Sequence, residues 1–303
     1  MVKGYSPVQS LRLAETRQRL AAAGLRPRKG LGQHFLIDVD VLNGIVAAAD
    51  PTSRDIILEI GPGLGVLTRE LARRAAHVFA VELDDNLARL LAREMAGFNN
   101  VTIINGDILK LDITPALAAV RRENPAATGY KVTANLPYYI TAPVLRHLLE
   151  ARVRPESLVV TVQREVAAAI ADRDRMGLLA VSVRFYGEPE VVAAVPAQCF
   201  YPAPRVDSAI LRIKTNPQPP LGEDMTPGFF ALVRAGFAAP RKRLLNSLAQ
   251  GLGTDRPEVA ALLSRAGIDA ERRAETLNIT EWVTLFRIYR ERTDAYPAGA
   301  GQD

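Results

Sequence analysis

Apolar residues recur at helical spacing near the start of the chain and then gather into short unbroken runs. Leu11, Ala14, Leu20 and Ala21 predict an amphipathic helix over 8–24, ended by Gly24 and broken by Pro27. A second helix is predicted over 39–49, with Asp38 as its cap and Pro51 at its end. From there the pattern alternates. Runs at 56–60, 77–82, 101–104, 130–134 and 157–162 read as buried strands, and 67–74 and 86–95 read as helices between the first of them. Further strands are expected at 178–186, 190–195 and 208–213, forming an antiparallel edge. The run Asn216-Pro217-Gln218-Pro219-Pro220 reads as a stiff linker. Beyond it, 227–237, 241–252, 257–266 and 280–290 read as the helices of a small second domain, followed by a frayed tail at 297–303.

Strands alternating with helices imply an α/β fold, a mostly parallel sheet covered on both faces. In such sheets ligands sit beyond the carboxyl ends of the strands. Residues 61–65, Glu82, Asp107 and Asn135 all fall at those ends. The expected organisation is a basic helical arm (1–30), a catalytic domain (31–216), a helical domain (221–293) and a flexible tail (294–303).

Composition narrows the class. The chain has 303 residues, 48% hydrophobic and 23% charged, enough for about two domains with a sizeable core. One cysteine, Cys199, excludes an internal disulfide framework and suits a reducing compartment. Three scattered histidines (His34, His77, His147) suggest no metal site. No run of about 18 apolar residues is present, so no membrane span is expected. The net charge of +5 is concentrated at the start. Lys3, Arg12, Arg17, Arg19, Arg26, Arg28 and Lys29 face only Glu15 within residues 1–30, which points to a polyanionic partner or to a merely solvated helix. The same arginine-rich composition could mimic an organellar transit peptide; an integral arm in a cytoplasmic protein is preferred.

The strand ends carry the chemistry. Glycines at 61, 63 and 65 would let a ligand approach the backbone, and a simple turn is the plainer alternative. Position 66 is Val, so the dinucleotide G-x-G-x-x-G template fails; the shorter loop suits a ligand without a pyrophosphate, such as S-adenosylmethionine. Glu82 stands where an acid can bind ribose hydroxyls, and Asp107 where one can meet the adenine end of the cofactor. Asn135-Leu136-Pro137-Tyr138 offers a side-chain oxygen, a backbone carbonyl ahead of a proline, and a ring. Those groups suit an extruded adenine. Two acceptors grip its amino protons while Tyr138 stacks on the base. The expected reaction is amino-methylation of adenine in a nucleic acid.

Several motifs together carry a resemblance. They are Gly32-Gln33-His34-Phe35-Leu36, Glu59-Ile60-Gly61-Pro62-Gly63-Leu64-Gly65, Val81-Glu82-Leu83-Asp84, Asn105-Gly106-Asp107 and Asn135-Leu136-Pro137-Tyr138. To these add the stretch from Phe200 through Pro202, Pro204 and Asp207 to Ala209, then Arg241-Lys242-Arg243, Asn246-Ser247-Leu248 and Arg273-Ala274-Glu275-Thr276-Leu277. Along nearly its whole length the chain resembles the ribosomal RNA adenine N6,N6-dimethyltransferases of the KsgA type.

The resemblance implies a class I S-adenosylmethionine-dependent methyltransferase (Rossmann-like) sheet with a small C-terminal helical domain. It implies dimethylation of two adjacent adenosines in the 3′-terminal hairpin loop of small-subunit rRNA, in an assembling subunit. Cofactor contacts carry over to His34, Leu36, Gly61, Glu82, Asp107 and Asn135, and Phe200 would sandwich the target base with Tyr138. Many relatives have Asn at the position of His34, which could still donate a hydrogen bond to the methionine carboxylate. Phosphate contacts are expected from Arg28, Lys29, Arg241, Lys242 and Arg243. Nothing demands more than a monomer. Two alternatives stand: a large-subunit rRNA adenine methyltransferase of the antibiotic-resistance type, and a non-catalytic ribosome assembly factor.

Overall fold

The computed structural model describes residues 7–127 and 129–295. They form two compact units, Met1–Ala168 with Glu188–Thr215, and Ala169–Gly187 with Asn216–Asp303.

Among the described residues the first unit is built on nine strands: β1 (Phe35–Leu36), β2 (Ile56–Ile60), β3 (His77–Glu82), β4 (Val101–Asn105), β5 (Tyr130–Asn135), β6 (Ser157–Gln163), β7 (Gly187–Val195), β8 (Phe200–Tyr201) and β9 (Ser208–Thr215). Seven make one sheet in the order β4-β3-β2-β5-β6-β9-β7; β1 and β8 pair separately and antiparallel. β4, β3, β2, β5 and β6 run parallel, and β9 lies antiparallel to β6. The chain leaves β2 in one direction for β3 and β4, then returns to its other side for β5. That reversal opens a crevice between β2 and β5 at their carboxyl ends.

β2 is buried at all five positions, so both faces of the sheet are covered there. Ile57, Val78, Val159 and Ile210 share a core cluster with Leu42, Ile45 and Val46 of the helix Val39–Ala49 and with Leu67 and Leu71 of the helix Val66–Ala72. Asp38 caps the first of these, accepting the Val41 N–H at 3.0 Å. Asp84 caps Asp85–Glu94 in the same way, accepting the Asn86 N–H at 3.0 Å.

The basic arm is the helix Pro7–Ala22. Its buried face differs from the expected one: Thr16 and Leu20 are buried while Ala14 and Ala21 are exposed. Leu20 packs with Phe35, Leu64 and Leu87. Arg19 pairs with Glu94 and donates to the Leu64 carbonyl at 2.7 Å, and Arg17 lies over the Tyr201 ring at 4.9 Å. Part of the arm's charge is therefore spent on its own unit. Lys3 and residues 296–303 lie outside the described residues, as does the side chain of Leu11.

The largest correction concerns 178–186. It is a helix, Leu178–Tyr186, and belongs with the second unit, so the expected 31–216 domain loses 169–187. A nine-residue run that is mostly apolar reads alike for a strand and a buried helix. Packing decides here: Phe185 stacks on Phe229 with centroids 4.7 Å apart and meets Phe230 edge-on at 5.1 Å. Three helices escaped the sequence pattern, Thr114–Glu123, Thr141–Leu149 and Arg164–Ala171. In the second unit the helices are Thr226–Gly236, Leu244–Leu252, Arg256–Arg265 and Ile279–Ala295. Arg241 and Lys242 thus precede a helix instead of starting one, and 294–295 continue the last helix instead of a tail.

Helices Thr226–Gly236 and Leu244–Leu252 touch backbone to side: a Cβ on Gly251 would lie 2.4 Å from both the Cα and the carbonyl oxygen of Ala235. Backbone cannot swing aside as a long side chain can. Gly251→Ala should cost about 1–3 kcal/mol by forcing this helix pair apart. An unchanged denaturant midpoint for that variant would show that the contact is looser than it looks.

Candidate active site

Four parallel strands end level with one another: Ile60 lies opposite Val81 and Ala134, and Glu82 opposite Asn105. The loops that follow line one cleft in the first unit. Gly61, Gly63, Glu82, Asp107, Asn135, Leu136, Pro137 and Tyr138 border it from the sheet side, and Leu31 to Phe35 close it from the arm side.

The glycine loop is built on positive φ angles, +67° at Gly61, +56° at Gly63 and +73° at Gly65. The three have different tasks. Gly61 sits beside the Asn135 carbonyl, where a Cβ would stand 3.8 Å from that oxygen, so a side chain there would enter the cleft. Gly65 does not line the cleft; its Cβ would strike Leu91 at 2.3 Å, which makes it a packing glycine at the helix start.

Glu82 is 6% exposed and holds the loop. One carboxyl oxygen accepts the Gly63 N–H at 3.1 Å and the other the Asp84 N–H at 2.9 Å. Burial pushes its pKa above the ordinary range, against the pull of these backbone donors. Each oxygen retains a lone pair, which is what a ribose diol requires. Asp107 accepts the Leu109 N–H at 3.0 Å and has Lys110 4.0 Å away, leaving its carboxylate at the cleft edge.

Asn135 has a fixed orientation. Its amide nitrogen donates to the His34 backbone carbonyl at 2.8 Å, so the amide oxygen is left as an uncommitted acceptor among the described residues. Next to it, the Tyr138 hydroxyl and the Ser208 hydroxyl share a 2.7 Å hydrogen bond that locks the ring to the start of β9. The His34 ring lies nearly parallel to Tyr138, at 6.0 Å between centroids and 23° between planes.

Three assignments change. His34 donates from Nδ1 to the Pro202 carbonyl at 2.5 Å, so in neutral histidine the other ring nitrogen accepts; only the imidazolium could donate to a carboxylate. Leu36 is 8% exposed and its side chain packs in the core instead of bordering the cleft. Phe200 is 1% exposed, pairs with Leu36 across β1 and β8, and packs in the same cluster. Its ring therefore presents no face for a base to stack against opposite Tyr138.

Sequence reasoning missed the strap that Arg28, Gln33 and Asp84 form beside the cleft. The Arg28 guanidinium reaches Asp84 at 3.2 Å, the Gln33 amide donates to the same oxygen at 3.2 Å, and the Arg28 N–H donates to the Gln33 side chain at 2.8 Å. These donors and the helix cap hold the Asp84 carboxyl below its usual range despite burial. The Gly-Gln pair before His34 was the available signal. Of the five expected phosphate contacts, Arg28 and Arg243 are already ion-paired, the latter with Glu271. Lys29, Arg241 and Lys242 are exposed, with no acidic partner among the described residues.

A positive-φ glycine loop, a buried acid with spare lone pairs one strand over, and a second acid after the next strand fit a nucleoside cofactor without a pyrophosphate. Fold and cleft together define a class I S-adenosylmethionine-dependent methyltransferase. Residues 24–291 match the family model of the ribosomal RNA adenine dimethylases, and the chain belongs to that family. Ribosomal RNA small subunit methyltransferase A of Dehalococcoides mccartyi is 50% identical, over 92% of this chain and 94% of its own. The enzyme of that name from Pelotomaculum thermopropionicum is 44% identical, over 90% and 94%. Among solved structures, the 23S rRNA methyltransferase ErmE is similar with a TM-score of 0.66 and 29% identity, over 84% of this chain and 98% of its own.

Glu59 lies beneath the glycine loop, 2% exposed on β2, with one carboxyl oxygen lacking a hydrogen-bond partner among the described residues. Burial foremost, and the neighbouring Glu82 charge, push its pKa from 4.5 up to about 8. The folded state then holds a proton that the unfolded state has released. Stability contributed by Glu59 is present below the unfolded value and lost as pH rises towards about 8. Glu59→Gln should flatten this fall, so its thermal midpoint should gain on the parent protein between about pH 5 and about pH 9. Parallel midpoint curves for the two proteins would exclude a buried neutral carboxyl.

Proposed function

We propose that this protein uses S-adenosylmethionine to dimethylate the N6 amino groups of two adjacent adenosines in the 3′-terminal hairpin loop of small-subunit rRNA, as a monomer acting in the cytoplasm while the subunit assembles. Membership of the adenine dimethylase family and the small-subunit names of the relatives support the reading. The Asn135 amide carries it: its nitrogen is committed to His34, so its oxygen faces the task of accepting an amino proton. No helix among the described residues is long and apolar enough to cross a membrane.

The adenine amino group is a weak nucleophile because its lone pair is delocalised into the ring. Bound S-adenosylmethionine would supply a methyl group activated on a sulfonium, with Gly61, Glu82 and Asp107 as its holders. The remaining work belongs to the chain. The Asn135 oxygen and the Leu136 carbonyl accept the two N–H bonds, drawing the nitrogen towards a pyramidal shape. Tyr138, held through Ser208, stacks on the base and keeps its plane fixed. An unpaired loop suits this cleft, since a stacked and paired adenine would not reach it.

Of the five expected phosphate contacts, Lys29, Arg241 and Lys242 are exposed and have no acidic partner among the described residues, which favours them as partners of phosphates. Replacing Arg241, Lys242 and Arg243 together with Ala should weaken RNA binding and lower its salt slope by about 1–3. An unchanged slope in filter binding would remove this turn from the interface.

The likeness to ErmE keeps a large-subunit substrate as the second reading. Labelled cofactor offered with each purified subunit separates the two; label confined to the large one would overturn the proposal. Against a purely binding role, Asn135→Ala should keep RNA affinity yet slow methyl transfer by about 100-fold, in line with loss of one oriented acceptor at a reacting atom. Near-normal turnover of that variant would contradict the task given to its amide.

A further inference from the structure

Tyr138 and Tyr139 are adjacent in sequence and opposite in circumstance. Tyr138 is half-buried and bonded to Ser208. Tyr139 lines the same cleft yet is 57% exposed, the most exposed large hydrophobic side chain among the described residues. Its hydroxyl makes no hydrogen bond among those residues. Neither core packing nor a polar contact accounts for a large ring held there.

The ring is nonetheless backed. Gly32 adopts φ +59°, and a Cβ on it would stand 3.5 Å from Tyr139 Cε1 and 3.3 Å from Pro137 Cβ. The turn Lys29–Leu31 that ends in Gly32 therefore supports the ring from the arm side. That turn also carries Lys29, exposed and without an acidic partner among the described residues. A supported aromatic surface at a cleft mouth, with an exposed cation in the turn that backs it, suits one nucleotide: a face for the base and a charge for its phosphate. The surface is continuous with the pocket assigned to the target adenine.

Resting on the function proposed above, we propose that Tyr139 is a substrate-binding residue whose ring stacks on the base adjacent to the adenosine held by Asn135 and Tyr138. Two adjacent adenosines would then be gripped as a pair, one in the pocket and one on its rim. When the second enters the pocket, the ring takes whichever neighbour follows it.

The experiment uses the full chain, a hairpin RNA carrying the adenosine pair, and labelled S-adenosylmethionine. Tyr139→Ala should raise KM for the hairpin by about tenfold or more, the scale of one lost base–aromatic stack. Tyr139→Phe, which keeps the ring, should stay within about twofold of the parent, and cofactor affinity measured by calorimetry should be unchanged in both. A hairpin with an abasic site beside the target should raise KM for the parent by a similar factor and add little to the Tyr139→Ala defect.

A normal KM for Tyr139→Ala, additive losses on the abasic hairpin, or a loss traced to cofactor affinity would each overturn the assignment. If the parent protein methylates the hairpin while Tyr139→Ala matches it, only this inference falls. If the parent transfers no methyl to the hairpin or to small subunits, the proposed function falls with it.

Discussion

One hydrogen bond organises the cleft: the Asn135 side-chain amide donating to the backbone carbonyl of His34 at 2.8 Å. It joins the end of a central strand to a segment 101 residues earlier in the chain. With that bond made, the arm-side segment is anchored across the crevice and the amide oxygen is turned to the remaining direction. An Asn free to flip would offer a donor or an acceptor at random. The tether removes that freedom before any substrate arrives, which is how a static scaffold lowers the cost of ordering a reacting group.

Around this point the cleft sets buried acids against backbone donors. Glu82 and Glu59 are both nearly inaccessible, yet only Glu82 has N–H groups on both oxygens. Burial raises both carboxyls, and for Glu59 it acts together with the Glu82 charge to carry the pKa up to about 8. A neutral Glu59 spares the glycine loop a second negative charge beside Glu82. Asp84 is held below its usual range instead, because it gathers Arg28, Gln33 and a helix start. Through it Arg28 and Gln33 are tied to a helix start, while the His34–Asn135 bond ties the same segment to the end of β5.

Much of the architecture was readable from apolar spacing. Strands at 56–60 and 77–82 and the Asp38-capped helix came out at their observed bounds, because each is bracketed by strong punctuation. The cleft residues at strand ends were readable for a related reason: parallel strands aligned in register bring their carboxyl ends together, so Gly61, Glu82, Asp107 and Asn135 had to converge. The helix at 178–186 was not readable. Its run of Leu, Val and aromatic residues satisfies either periodicity, and only the rings of Phe229 and Phe230 across the chain chose between them.

What the sequence determined alone was local or repetitive: buried strands, caps, the positive-φ glycines and the acids that follow the strands. Tertiary structure decided everything that depended on who lies opposite whom. It buried Phe200 against Leu36 instead of exposing it to a base, gave Arg19 and Arg28 acidic partners within the protein, committed His34 Nδ1 to Pro202, and left Tyr139 on the rim. Residue type sets what a side chain can do, whereas burial and hydrogen-bond direction are properties of neighbours brought together from distant parts of the chain. Those neighbours are specified only when the whole sheet closes.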